Sequence, residues 1–227
     1  MEKALIVIVE ILKFVGLPTL VWLFRDNISV FAIRHMQRKK TLAKKVKEIA
    51  LAHSVPYEMP KGVGIFSPVA VKWYVDLMWA CTKLKTLNKL TQYMVGFLHM
   101  SVSTKFDRIA VPKLGNVVLA TSVAITVHVP LVVVRQARAI QSRADTPFDG
   151  EIIPGERILL IDDVASDHLF LTSCISILRS ASLQVSDVVV LLNRKEGHCI
   201  DKLSEMKVEF HKLFDIDDAG IDQLRLE

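Results

Sequence analysis

Gly155-Glu156-Arg157-Ile158-Leu159-Leu160-Ile161-Asp162-Asp163-Val164 reads as a turn, a buried strand and two adjacent acids at the strand's end. Four apolar residues in a row leave no polar face, as in a parallel sheet covered on both sides. The surrounding sequence carries the same grammar. From Phe106 onward, short β-branched runs at Arg108–Val111, Leu131–Arg135, Arg157–Ile161, Asp187–Leu192 and Val208–Phe214 alternate with helical spacing. The helical stretches are Val117–His128, Leu169–Ser182 and Cys199–Met206. This alternation predicts an α/β fold, a central parallel sheet flanked by helices. Ligands of such sheets sit at the carboxyl ends of the strands, which makes Asp162 and Asp163 the first candidates. Taken alone, the two acids could equally be a solvated strand end or a helix cap.

With its neighbours, the same stretch resembles the phosphoribosyl pyrophosphate signature of type I phosphoribosyltransferases, closest to the orotate branch. Phe106-Asp107-Arg108-Ile109-Ala110-Val111-Pro112-Lys113-Leu114-Gly115-Asn116 resembles the family's strand and pyrophosphate loop. Gly115 there permits close backbone approach. Leu119-Ala120-Thr121 continues into a helix, as in orotate phosphoribosyltransferases. Pro130–Arg135 is similar to the next strand, ending in the arginine that precedes the mobile catalytic loop, and Phe148-Asp149-Gly150-Glu151-Ile152 is similar to the return from that loop. Ser67-Pro68 and Tyr74-Val75-Asp76 faintly resemble the N-terminal hood. The resemblance spans about residues 62–215.

The resemblance implies a set of roles. Lys113, Leu114, Gly115 and Asn116 would meet pyrophosphate, and Asp162 and Asp163 the ribose hydroxyls. Ser166 and Asp167 fall in the loop around the 5-phosphate. Arg135, Arg138 and Asp163 would be the catalytic residues. If the chain is active, Mg²⁺ would bridge pyrophosphate and ribose near Asp162 and Asp163 as an indirect site; otherwise no cofactor is expected. A homodimer, with the mobile loop reaching the neighbouring site, is implied by the same resemblance.

Two departures bear on activity. Where the family carries a loop of Thr, Thr and Gly, this chain reads Ala165-Ser166-Asp167-His168-Leu169-Phe170. Ser166 could keep one hydroxyl contact, but Asp167 places a negative charge where a dianion should bind. At 4 Å, two unit charges repel by about 4 kcal/mol at an effective dielectric near 20. After Arg135 the chain reads Gln136-Ala137-Arg138-Ala139-Ile140-Gln141-Ser142-Arg143, so Gln136 and Ala139 stand where the orotate enzymes carry lysines. Arg138 and Arg143 could supply charge from shifted positions.

Ala4–Phe24 is a run of 21 positions, apolar apart from Glu10, Lys13 and Thr19. As a helix it would be roughly 31 Å long at about 1.5 Å per residue, enough to cross a hydrocarbon core. Between Asp26 and Glu48 there is no acid, while Arg34, Arg38, Lys39, Lys40, Lys44, Lys45 and Lys47 fall in the interval. That order predicts a membrane anchor with the body in the cytoplasm. The alternative is an interface helix packed on protein. The basic interval, residues 34–47, lacks the aromatic interleaving of a nucleic-acid binder. Elsewhere the 227-residue chain, with 51% hydrophobic and 23% charged residues, has the composition of a folded domain. Its net charge of +5 is local to that interval. Cys81, Cys174 and Cys199 are too widely spaced for a disulfide framework or metal cage. The expected organisation is a hydrophobic helix over 1–25, a basic helix and linker over 26–60, and the α/β body over 61–227.

Two functions follow. One is a membrane-tethered nucleotide or sugar-phosphate binding module, regulatory or effector in role and open to silencing by a protein partner, with weak or no transfer. The other is an active transferase joining a nucleobase such as orotate to phosphoribosyl pyrophosphate and releasing pyrophosphate.

Overall fold

The computed structural model describes residues 18–56, 72–112, 116–135 and 146–226. The chain divides at Thr41/Leu42 into two compact units. The described part of the first is helical from Pro18, within helix α1 (Pro18–Ala52). Among the described residues no helix is long and apolar enough to cross a membrane. Positions 4–17 of the apolar run, which carry most of the anchor expectation, lie outside the described residues. The second unit begins at Leu42, and Val46 and Ala50, 0% and 2% exposed, pack into its core.

Within the body, β1 (Ser54–Pro56) pairs antiparallel with β2 (Trp73–Val75), followed by helices α2 (Leu77–Cys81) and α3 (Leu84–Ser101). Asp76 caps α2 by accepting from the Trp79 amide at 2.8 Å. The sheet follows: β3 (Arg108–Val111), α4 (Val117–Val127), β4 (Leu131–Val134), β5 (Phe148–Asp149), β6 (Arg157–Ala165), α5 (His168–Ser180), β7 (Gln184–Arg194), α6 (Cys199–Glu205) and β8 (Glu209–Ile216). A last helix, α7 (Asp218–Leu226), is tied to β2 by the Trp73 indole, which donates to Asp222 at 2.8 Å.

The strand order is β5-β4-β3-β6-β7-β8, parallel throughout except for the short β5 against β4. Side-chain alternation divides the core between two faces. Ile109, Leu159, Ile161, Val189 and Leu213 face one layer with Leu90, Met94 and Phe97 of α3 and Leu119 and Val123 of α4. Ala110, Ile158, Leu160, Val188 and Val190 face the other with Leu171, Ile175 and Leu178 of α5 and Leu203 of α6. Each such buried side chain stabilises the fold by about 1.5–3 kcal/mol. β6 lies at the centre, hydrogen-bonded to β3 and β7. It runs four residues past Ile161, because Val164 and Ala165 still pair with Leu192 and Asn193.

Candidate functional site

The extension of β6 decides how the two acids are presented. Asp162 and Asp163 lie inside the strand and are 1% and 6% exposed, where the sequence placed them at its end. Successive side chains of a strand point to opposite faces, and the neighbouring thiols register this. Burial first, then the Asp163 and Asp76 charges, push the Cys81 thiol of α2 up to about 12. Burial, then the Asp167 and Asp162 charges, push the Cys199 thiol of α6 up to about 12. Asp163 therefore leans toward the α2 layer and Asp162 toward the α6 layer. Both thiols stay protonated at neutral pH and are poor nucleophiles. The three cysteines are buried and no disulfide joins them.

Asn116 opens α4 without capping it. Its side chain, in a residue only 2% exposed, turns instead to β6. The amide donates to Asp162 Oδ1 at 3.2 Å and, more weakly, to the Ile161 carbonyl at 3.4 Å. The same Oδ1 accepts from the Asp163 backbone at 3.0 Å, and Asp163 Oδ1 accepts from Val164 at 2.8 Å. The acid pair is thus held by donors from two motifs 46 positions apart. Lys113, Leu114 and Gly115, which immediately precede Asn116, lie outside the described residues, as does Arg138.

Arg135 follows β4, its backbone N–H bonded to the Pro147 carbonyl at 2.7 Å. Its guanidinium forms a fork on Asp149 of β5, Nε to Oδ2 at 2.6 Å and a second, shorter contact from Nη2 to Oδ1. That hydrogen bonding raises the arginine's proton affinity further. The sequence singled out Arg135 but not its carboxylate partner. Any anion that uses Arg135 competes with Asp149.

The segment after the acids departs most from expectation. Ser166 is exposed, but Asp167 is 4% exposed and does not present its charge outward. As N-cap of α5 it accepts the Leu169 amide at Oδ1, 2.7 Å away. Its Oδ2 is buried with no hydrogen-bond partner among the described residues. Asp167 fills the capping role that short polar side chains favour at helix starts, and it occupies an amide that would otherwise be open to a ligand. His168 Nδ1 lies 3.0 Å from the Gly197 carbonyl and 3.4 Å from Asp167 Oδ1. Gly197, which the sequence reading passed over, closes the segment from behind. A Cβ there would fall 2.5 Å from the Ser166 carbonyl oxygen.

The two aspartates are hard oxygen donors of the kind Mg²⁺ takes. Among the described residues they have no third acid or imidazole within ligating reach, since the grouping of that kind is Asp187, Glu209 and His211. With both acids buried and Asp162 Oδ1 already accepting two hydrogen bonds, they fit Mg²⁺ through water and not as a direct cage.

No family model matches the chain. Curated proteins do. Orotate phosphoribosyltransferase of Methanosarcina mazei is 30% identical over 148 residues, covering 65% of this chain and 76% of that protein. Orotate phosphoribosyltransferase of Pyrococcus abyssi is 29% identical over 125 residues, covering 55% of this chain and 68% of its own. Among solved structures, orotate phosphoribosyltransferase from Aeropyrum pernix superposes with a TM-score of 0.61 at 20% identity, over 81% of this chain and 99% of that one. That likeness concerns the fold, while the sequence identities carry the family. The chain belongs to the type I phosphoribosyltransferases, on the orotate branch.

Proposed function

We propose that this protein binds a nucleotide or phosphoribosyl compound at the carboxyl end of β6, beside its acids and Asn116, and transfers the ribosyl group weakly or not at all. The observation that carries this reading is Asp167. A phosphate cradle at a helix start works by unpaired amides facing the anion. Here the Leu169 amide is satisfied by a carboxylate that belongs to the chain. That carboxylate is also a negative charge beneath the position a 5-phosphate would take. Arg135 is likewise committed to Asp149. The acid pair remains as an acceptor for ribose hydroxyls, with Asn116 fixing the orientation of Asp162. Mg²⁺, when bound, would neutralise charge on the pyrophosphate.

Calorimetry with phosphoribosyl pyrophosphate and with nucleotides, alongside an assay of pyrophosphate release with Mg²⁺ and orotate, tests the reading. Saturable heat that Asp162→Asn removes, without release, is expected. The second reading, an active transferase, is favoured by the orotate enzymes to which the chain is similar. Protein-dependent pyrophosphate release would establish it. A homodimer, implied by the family, is read from sedimentation.

We read residues 4–24 as a membrane anchor that holds the body in the cytoplasm. The support is the apolar run and the cations that follow it. A protein partner that holds the module silent belongs to the same regulatory reading. Carbonate extraction of the full chain from membranes tests the anchor: release by carbonate alone would overturn it.

A further inference from the structure

A cavity of about 480 Å³ opens at the amino-terminal end of the sheet, on the side away from the acids. Lys105 from the α3–β3 connection, Arg157 at the start of β6 and Arg179 near the end of α5 line it, beside Gln184 and Ser186. Arg157 and Asp162 are five residues apart on one strand, about 16 Å at about 3.3 Å per residue, so this cavity and the acid pair are separate places.

Two of these three cations, Lys105 and Arg179, have no carboxylate partner among the described residues. Arg179 donates to the Val185 carbonyl at 2.7 Å and the Met206 carbonyl at 3.0 Å, which fixes the guanidinium without neutralising it. Among the described residues it has no carboxylate within ion-pair distance. Lys105 is exposed and makes no hydrogen bond or ion pair among the described residues. Arg157 shares its charge with Asp107, Nη2 to Oδ1 at 2.6 Å. No carboxylate lines the cavity itself. Asp187 lies one layer behind, where Thr104 and Ser186 donate their hydroxyls to it at 2.7 and 2.6 Å and His211 meets its other oxygen at 2.8 Å. Those hydroxyls point their protons inward, so recognition of anything in the cavity falls to the cations.

We propose that this cavity binds a phosphate group, either free or as a phosphate monoester, at a site distinct from the acid pair of β6. Lys105 and Arg179, cations from two separate elements, flank a hollow with room for a tetrahedral dianion, while Arg157 beside them stays paired with Asp107. The guanidinium of Arg179 is already immobilised, so little side-chain freedom is lost on binding.

The test is titration of the full chain with inorganic phosphate and, in a second arm, with ribose 5-phosphate, followed by amide chemical shifts. Saturable shifts at residues 104–105 and 184–186 are expected. Lys105→Gln should weaken them at least threefold and Arg179→Gln at least tenfold, with Asp162→Asn within twofold of wild type. Tighter binding of the monoester assigns the site to phosphorylated metabolites, and equal binding assigns it to the phosphate group alone. The proposal is overturned by shifts that do not saturate, that cluster at 116 and 162–168, or that Lys105→Gln leaves unchanged. Should Arg179→Gln fail to fold, the exposed Lys105→Gln decides alone.

Discussion

The side-chain amide of Asn116 donates to Asp162 at 3.2 Å, joining the first turn of α4 to the acid-bearing strand β6. Asn116 is thereby a positioning residue for the carboxylate, held where it cannot turn to solvent. Two sequence motifs that the fold brings together meet in this single bond.

Asn116→Ala removes that donor from a buried carboxylate oxygen. The expected cost is about 1–3 kcal/mol, the range for a buried polar group left short of a partner. Urea denaturation of variant and wild type measures it, and an unchanged midpoint would show the bond to be dispensable.

Asp167 separates stability from ligand repulsion. Asp167→Ala should destabilise by about 0.5–2 kcal/mol through loss of the helix cap. Asp167→Asn caps about as well and should stay near wild type while removing the charge. Affinity for phosphoribosyl pyrophosphate should therefore rise in the asparagine variant, by several-fold in calorimetry. Equal affinity in both proteins would mean that this charge does not set the weakness of the site.

Gly197 has no room for a side chain. A Cβ at that position would approach the Ser166 carbonyl to 2.5 Å and the Asp167 amide to 3.1 Å, both backbone atoms that cannot rotate aside. Gly197→Ala should cost about 1–3 kcal/mol, as overpacking does, and should shift the amide resonances of residues 166–169. A variant with wild-type stability and spectrum would contradict the packing.

Asp187 supplies an acid-sensitive element. Burial alone would push its carboxyl up, but hydrogen bonds from His211, Ser186 and Thr104 together outweigh burial and hold it below the usual range. A depressed carboxyl stabilises the fold when ionised. Its contribution is full above the unfolded value near 3.9 and is lost as pH falls below it. Asp187→Asn should lose about 1.5–3 kcal/mol at pH 7, as expected for hydrogen bonds to a charged group. Its melting temperature should fall less steeply than that of wild type between pH 4 and 2.

Much of this was legible in the chain. The apolar runs at Arg108–Val111 and Leu131–Arg135 became β3 and β4 nearly to the residue, because strands buried on both faces carry an uninterrupted apolar signal. The end of β6 was not legible. Aspartate is a poor strand former, and only the partners offered by β7 keep Asp162 to Ala165 extended. Asp167 shows the same limit at the site. A carboxylate at a helix start can face a ligand or cap the helix, and the choice rests on the burial around it. The Arg135–Asp149 pair spans 14 positions with no local pattern to announce it. Asp187 and His211 likewise meet through strand register alone.

The central claim is that the acid-bearing end of β6 holds a phosphoribosyl compound with little or no turnover. Phosphorus NMR of phosphoribosyl pyrophosphate with Mg²⁺, orotate and the full chain reads binding and chemistry in one tube. Resonances that broaden with protein, less so with Asp162→Asn, while no pyrophosphate signal grows, are the predicted result. A pyrophosphate signal that rises in proportion to protein, or substrate lines that the protein leaves untouched, would contradict it.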